Sequence, residues 1–102
     1  RYTGIAMTKS EKRERSIRQS MRNVRFDDLD LLLRSYDFLP AQKGSHVTYE
    51  HVMYDDQRVT IVKPHGGTAH VKPVYVRGAL LVIDIVQARI EEEKQNAAKD
   101  ER

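Results

Sequence analysis

Apolar residues change their spacing at one place in the chain, close to Tyr36. Before that point, four residues have the i, i+3, i+4, i+7 spacing of a helix with one apolar face: Leu29, Leu32, Leu33 and Tyr36. After it, residues 46–53 and 58–63 alternate apolar and polar side chains, as strands with one buried face do. We expect such a chain to fold with a helix covering one side of a sheet.

Two further helices are predicted at the ends of the chain. Residues 10–21 are strong helix formers, but Ile17 and Met21 are the apolar ones, so this helix packs through a short stripe. Residues 74–98 form a long helix that is apolar on one face over its first half. Gly78 lies inside this helix at a cost of about 1 kcal/mol relative to alanine, which indicates close packing there.

The segments between these helices complete the predicted fold. Asp27 is placed to cap the first core helix, and Asp37 lies at its end. A short strand at 38–42 precedes the two alternating segments, and Asp55-Asp56 forms the turn between those two. We therefore predict an α+β fold with three antiparallel strands, helices on one face and an open opposite face.

Length and composition favour one compact domain. Its 102 residues suit one domain and leave no room for two. A hydrophobic fraction of 39% is enough for one modest core. We set residues 1–6 aside as an upstream remnant, since Met7 is a natural start. The remainder divides into a basic helix at 7–23, a main domain at 24–90 and a charged helix end at 91–102.

Several classes of protein are excluded by what the chain lacks. It has no cysteine, so disulfides, thiolate metal sites and cysteine nucleophiles are ruled out. The longest apolar run, residues 78–83, is far shorter than the ~20 residues of a membrane span. We expect a soluble protein of the cytoplasm.

The positive charge of the chain is concentrated near its start. Residues 7–25 hold seven basic and two acidic side chains, whereas residues 26–88 hold six and eight. The formal net charge of +3 therefore belongs to an arm and not to the core. Such an arm favours polyanions, although a solvated helix face explains the composition equally well.

The strongest candidate for a functional site is the segment Lys43-Gly44-Ser45-His46. Gly44 lets the backbone turn tightly, and Lys43 and Ser45 offer donors to a phosphate group. His46 has the parity opposite to the apolar residues of its strand, so it faces solvent or a ligand. A histidine can take or give a proton near neutral pH, as chemistry at an RNA 2′-hydroxyl requires. On its own, such a triplet is more often structural than catalytic.

A wider set of motifs surrounds this segment. In chain order they are Phe26-Asp27-Asp28-Leu29, Leu32-Leu33, Phe38, Lys43-Gly44-Ser45-His46, the Val-Thr-Tyr-Glu-His strand, residues 59–64, and Val71-Lys72-Pro73-Val74-Tyr75-Val76. Over residues 24–87 this ordered set resembles the HicA family, the small toxins of bacterial toxin–antitoxin pairs. The chain departs from the family at Asp37, where a glycine usually precedes the phenylalanine, and its helix before residue 24 is an addition.

The resemblance has implications for fold, activity and partners. It implies a fold like the double-stranded-RNA-binding domain, ribosome-independent and metal-independent cleavage of messenger RNA without a cofactor, and neutralisation by a HicB-type antitoxin. The family's catalytic histidine corresponds to His46, and the glycine and serine before it to Gly44 and Ser45. Positive charge for the RNA phosphates is expected from Lys43, with Lys63 or Lys72 as further hypotheses.

The chain has three histidines besides His46. His51 is a tempting second proton-transfer group, but it lies five residues on, on the opposite strand face, about 17 Å from His46 in an extended chain. We predict that it is a half-buried residue beside the core. His65 and His70 flank a glycine loop without a nearby carboxylate or thiol, which makes a poor metal site.

The loop and the tyrosines add less specific signals. The glycines of residues 65–68 are not followed by the lysine and hydroxyl residues of a phosphate-binding loop, so we expect a connection or a contact to RNA or a partner. Tyr49, Tyr54 and Tyr75 have rings that can stack on bases. Their apolar neighbours favour core or rim packing for Tyr49 and Tyr75.

Two alternatives to a ribonuclease stay open. The first is an RNA-binding module without chemistry, which binds RNA in a salt-dependent way and leaves it intact. The second is an interaction protein whose open sheet face receives a partner through Thr48, Val52, Thr60 and Val62.

Overall fold

The computed structural model describes residues 6–66 and 69–100, and it has the α+β fold that the sequence predicts. A short 3-10 helix, Met21–Asn23, follows the first α-helix. The other elements are α1 (Lys9–Gln19), α2 (Phe26–Ser35), β1 (Phe38–Lys43), β2 (His46–His51), β3 (Arg58–Val62) and α3 (Pro73–Asp100). The segment 1–6, set aside as an upstream remnant, lies outside the described residues except for Ala6.

The three strands form one antiparallel sheet in the order β1-β2-β3. Phe38 pairs with His51 and Lys43 with His46, so β1 and β2 are in register along their full length. Helix α2 packs on β1 and α3 packs on β3, and the two helices touch each other. Among the described residues the helices lie on one face of the sheet, which is the arrangement of a double-stranded-RNA-binding domain.

The core lies between the sheet and the helices. Among the residues that share it are Leu29, Leu32 and Leu33 of α2, Val47, Tyr49 and Ile61 of the sheet, and Val76, Ala79, Leu80, Ile83 and Val86 of α3. Leu29, Leu32 and Leu33 of the helical stripe are thus buried as predicted, whereas Tyr36 is half-buried. Val47, Tyr49 and Ile61 of the alternating segments are also buried as predicted. The hydroxyl of the fully buried Tyr49 donates to Asp30 Oδ1 at 2.5 Å, and burial together with this hydrogen bond raises the pKa of the tyrosine.

Helix α1 is held to the core at several points. Thr8 and Glu11 form a capping box at its start. Ile17 is buried, as predicted, and Arg18 reaches Asp84 of α3 with a 2.8 Å ion pair. The helix ends at Gln19, so the predicted end at residue 21 is two residues too long, because the chain tightens into the 3-10 helix.

Helix α2 has neither a side-chain cap at its start nor a glycine at its end. The N-cap position is Arg25, without a side-chain hydrogen bond, and Asp27 lies within the first turn, so the prediction that Asp27 caps the helix is wrong. At the other end, Asp37 has φ = +66°, the left-handed conformation that glycine adopts without strain. The chain thus makes the same turn at Asp37 that a glycine would make.

Strand β2 ends earlier than the alternation suggests. It stops at His51, and Met53, predicted to share the buried face, is 71% exposed. The Nδ1 atom of His51 accepts hydrogen bonds from the backbone N–H groups of Met53 and Tyr54, at 3.1 and 3.3 Å. These bonds turn the chain after His51, and the predicted Asp55-Asp56 turn follows.

Helix α3 runs from Pro73 to Asp100, one residue earlier and two later than predicted. A Cβ atom at Gly78 would meet Val59 Cγ2 of β3 at 3.4 Å, so the glycine does mark close packing. From Glu91 onward the helix residues are exposed. No helix within residues 6–66 and 69–100 is long and apolar enough to cross a membrane.

Candidate functional site

The sheet face opposite the helices carries three rows of side chains. Residues directly opposite each other in an antiparallel sheet point to the same face. The rows are Lys43–His46–Val62, Ala41–Thr48–Thr60 and Leu39–Glu50–Arg58. All nine residues are exposed or half-buried. We call this grid the open face.

His46 stands in the first row of the open face. It is exposed, directly opposite Lys43 on β1 and Val62 on β3. Its ring has no hydrogen-bond partner among the residues that the structure describes. In the next row the hydroxyls of Thr48 and Thr60 lie 2.9 Å apart. An imidazole in this position can exchange a proton with a ligand on the face, while the Lys43 ammonium group balances negative charge nearby.

A tight turn fixes the position of His46. Gly44 and Ser45 form the two-residue connection between β1 and β2, and Gly44 has φ = +59°, as such hairpin turns require. Ser45 O accepts the backbone N–H of Lys63 at 2.7 Å, which fastens the turn to the end of β3. The amide of Gln42 donates to Gly44 O at 2.9 Å. The turn directly before His46 is therefore held by hydrogen bonds from β1 and from the end of β3.

His51 lies on the opposite side of the same strand. It is 2% exposed and packs between the rings of Phe38 and Tyr54, at centroid distances of 5.0 and 5.2 Å. It is more deeply buried than the predicted half-buried residue. Because it faces the core, it cannot share a substrate with His46, which agrees with the sequence argument.

The two further lysines expected at the site lie away from the open face. Lys63 shares the parity of Ile61, and its Nζ lies 5.1 Å from the ring centroid of Phe26, on the helix side of the sheet. Lys72 lines a cleft at the start of α3. The structure therefore brings Lys43, Gly44 and Ser45 together with His46, and it separates Lys63 and Lys72 from them.

The remaining candidates are spread over the molecule. His65 and His70 are exposed, and no group of three or more metal-binding side chains occurs in the described part of the chain. Tyr49 and Tyr54 are buried, and Tyr75 is half-buried against the core. These three tyrosines are thus packing residues, and none of them lies on the open face.

The structure adds two cations that the sequence argument did not single out. Arg22 and Arg77 line the same cleft as Lys72. The summed charge of residues 7–25 includes Arg22, but nothing in the local pattern connects it with residues fifty positions later. A second proton-transfer group is not among the partners of His46 across the described sheet, where Lys43 is the titratable neighbour.

Comparisons with protein-family models, with curated proteins and with solved structures found no match to this chain.

Proposed function

We propose that the protein is the toxin of a type II toxin–antitoxin pair and acts as a metal-independent endoribonuclease on messenger RNA. The observation that supports this best is the exposed His46 ring beside Lys43 on a sheet face that no described helix covers. The ordered motifs over residues 24–87, which resemble the HicA family, give the proposal its substrate class.

The proposed reaction is transfer of an RNA phosphodiester to its own ribose. The 2′-hydroxyl loses a proton and attacks phosphorus, the bond to the 5′-oxygen breaks, and that oxygen gains a proton. His46 acts as the general base or the general acid in these two proton transfers. Lys43 offsets the charge that builds on the phosphoryl oxygens, and Gly44 and Ser45 let the backbone approach them. The products are a 2′,3′-cyclic phosphate and a 5′-hydroxyl end.

The proposed partner is a HicB-type antitoxin that covers the open face. Such a protein would neutralise the toxin by steric exclusion of RNA from His46. The apolar and hydroxyl side chains of the face, among them Leu39 and Thr60, offer contact area beside the charged residues.

The test is RNA cleavage by pure protein with His46→Ala. We expect loss of cleavage and of growth arrest, while the far-ultraviolet circular dichroism spectrum and the unfolding midpoint stay unchanged, since the ring is exposed and unpartnered in the described structure. Added imidazole should restore part of the cleavage to this variant. Undiminished cleavage by His46→Ala would remove the residue from the mechanism.

A second candidate function is an RNA-binding module without chemistry. It is favoured by one observation, the absence of a second acid–base group beside His46 in the described sheet. In that case wild-type protein binds RNA, leaves it intact after long incubation, and does not arrest growth. The pattern of RNA ends after incubation separates the two functions.

A further inference from the structure

Three cationic side chains converge on a surface cleft at some remove from the open face. An open cleft of about 620 Å³ is lined by Arg22 of the 3-10 helix, by Lys72 directly before α3 and by Arg77 of α3, together with Pro73 and Val74. Within the described ranges, none of the three cations has a hydrogen bond or ion pair to another side chain. We call these three residues the cationic cleft.

Three arginines outside the cleft are each paired with a carboxylate. Arg34 pairs with Asp30 at 2.9 Å, Arg58 with Glu50 at 3.2 Å, and Arg89 with Asp56 at 3.1 Å. Each of these side chains therefore has a carboxylate of its own. The cations of the cleft lack such partners in the described structure, so their charge is available to an external anion.

Backbone hydrogen bonds and a second pocket connect the cationic cleft with the His46 end of the sheet. Lys63 is bonded through its backbone to Ser45, and it shares a second pocket with Arg25 and Ala69. The N–H of Val71 donates to Val24 O at 2.8 Å, which places the segment before Lys72 against the segment after Arg22. Asp27 also lines the second pocket, so the route is not uniformly positive.

We propose that the cationic cleft binds backbone phosphates of the RNA strand on one side of the bond that is cleaved at His46. This inference rests on the proposed function and extends it: the preferred substrate is a single strand long enough to reach from the open face to the start of α3. The cleft then supplies affinity and orientation, and His46 supplies chemistry.

The chemistry of the cleft favours RNA over an acidic protein. Protein interfaces are depleted of charge at their centre and rely on a cluster of apolar and aromatic side chains. Here three cations surround one exposed apolar residue, Val74, and no aromatic ring is among the lining residues. Two guanidinium groups and one ammonium group around an open cleft suit the phosphates of a nucleic-acid backbone.

The experiment compares two double variants with the same change in charge. Lys72→Ala/Arg77→Ala removes two cations of the cleft, and the matched control Lys94→Ala/Lys99→Ala removes two exposed cations near the other end of α3. Both are made in a His46→Ala background, and binding of a single-stranded oligoribonucleotide is measured at several salt concentrations. The logarithm of the binding constant falls with the logarithm of the salt concentration, and each lost phosphate contact makes that slope less steep by about 0.7. The slope of the cleft variant should therefore be less steep by about 1.4.

A second readout uses the active protein. A dinucleotide has one phosphate, which occupies the His46 site, so kcat/KM for its cleavage should be equal in the cleft variant and the wild type. For a long oligonucleotide the cleft variant should lose on the order of tenfold at ~0.1 M salt.

The outcomes separate this inference from the proposed function. Equal salt slopes in the cleft variant and the control overturn the cationic cleft as an RNA site, even if His46 is essential for cleavage. Reduced binding of an acidic protein without any change in RNA binding also overturns it. If the wild type binds RNA through the cleft but never cleaves it, the proposed function fails, and the cleft stands as an RNA-binding site without a cleaved bond beside it. If the alanine variant unfolds, Lys72→Gln/Arg77→Gln replaces it.

Discussion

Asp37 is the position where a single substitution should stabilise the protein. Its φ of +66° is the left-handed conformation, which costs a residue with a Cβ atom about 1–2 kcal/mol. The carboxylate of Asp37 has no hydrogen bond or ion pair among the described residues that would offset this cost. Glycine adopts the same backbone freely, but it adds about 0.4–1 kcal/mol of entropy to the unfolded chain.

The net effect of Asp37→Gly is the difference between these two terms. We expect a gain of about 0.5–1 kcal/mol in the free energy of unfolding. For a domain of this size, that gain corresponds to a rise in Tm of about 3–6 °C. The backbone bonds at this position, from Asp37 N–H to Arg34 O and from Val52 N–H to Asp37 O, are unaffected by the change. Thermal and urea unfolding followed by circular dichroism measure it.

Gly44→Ala provides the reciprocal control. Gly44 has φ = +59°, and a Cβ atom there would meet no other atom within 4 Å, so its cost is purely conformational. We expect a loss of about 1 kcal/mol, the left-handed strain less the entropy gained. If Gly44→Ala destabilises the protein and Asp37→Gly does not stabilise it, the reasoning about strain at Asp37 is refuted.

Two further predictions concern the core and its edge. The hydrogen bond from the Tyr36 hydroxyl to Glu14, with burial second, raises the pKa of Tyr36 to about 12. The stabilisation that comes with this raised pKa is complete below pH 10, near the pKa of an unfolded tyrosine, and is lost as the pH rises from about 10 to about 12. Over this pH range, urea unfolding of Tyr36→Phe should therefore show a smaller fall in the free energy of unfolding than the wild type shows. His51→Leu leaves the N–H groups of Met53 and Tyr54 without their acceptor, and relief of the unpartnered Nε2 offsets part of that, so we expect a loss of about 1–2 kcal/mol. An unchanged urea midpoint for His51→Leu would contradict the role of its Nδ1 atom.

The arrangement of helices and strands could be predicted because it depends on local spacing. Leu29, Leu32 and Leu33 recur with the helical period, and Val47 and Tyr49 recur with the strand period, so each element indicates its own buried face. The exposure of His46 follows from the same alternation. These features need no knowledge of what packs against them.

The features that could not be predicted depend on contacts between distant segments. His51 is deeply buried because Phe38 and Tyr54 close around it, and its ring ends β2 two residues before the alternation does. The Lys63 side chain lies over the ring of Phe26, a contact that exists only once the sheet has packed against α2. Arg22 and Lys72 share a cleft through a tertiary contact between Val24 and Val71, for which no local pattern exists.

The cationic cleft carries positive charge that no carboxylate among the described residues neutralises. Arg34 and Arg89, in contrast, are paired with Asp30 and Asp56, so their charge contributes less to the field around the molecule. In the field of a polyanion the protein therefore rotates as it approaches, and the collision is biased in orientation before any contact forms. Its association rate should fall with ionic strength more steeply than that of a protein whose charges are evenly spread.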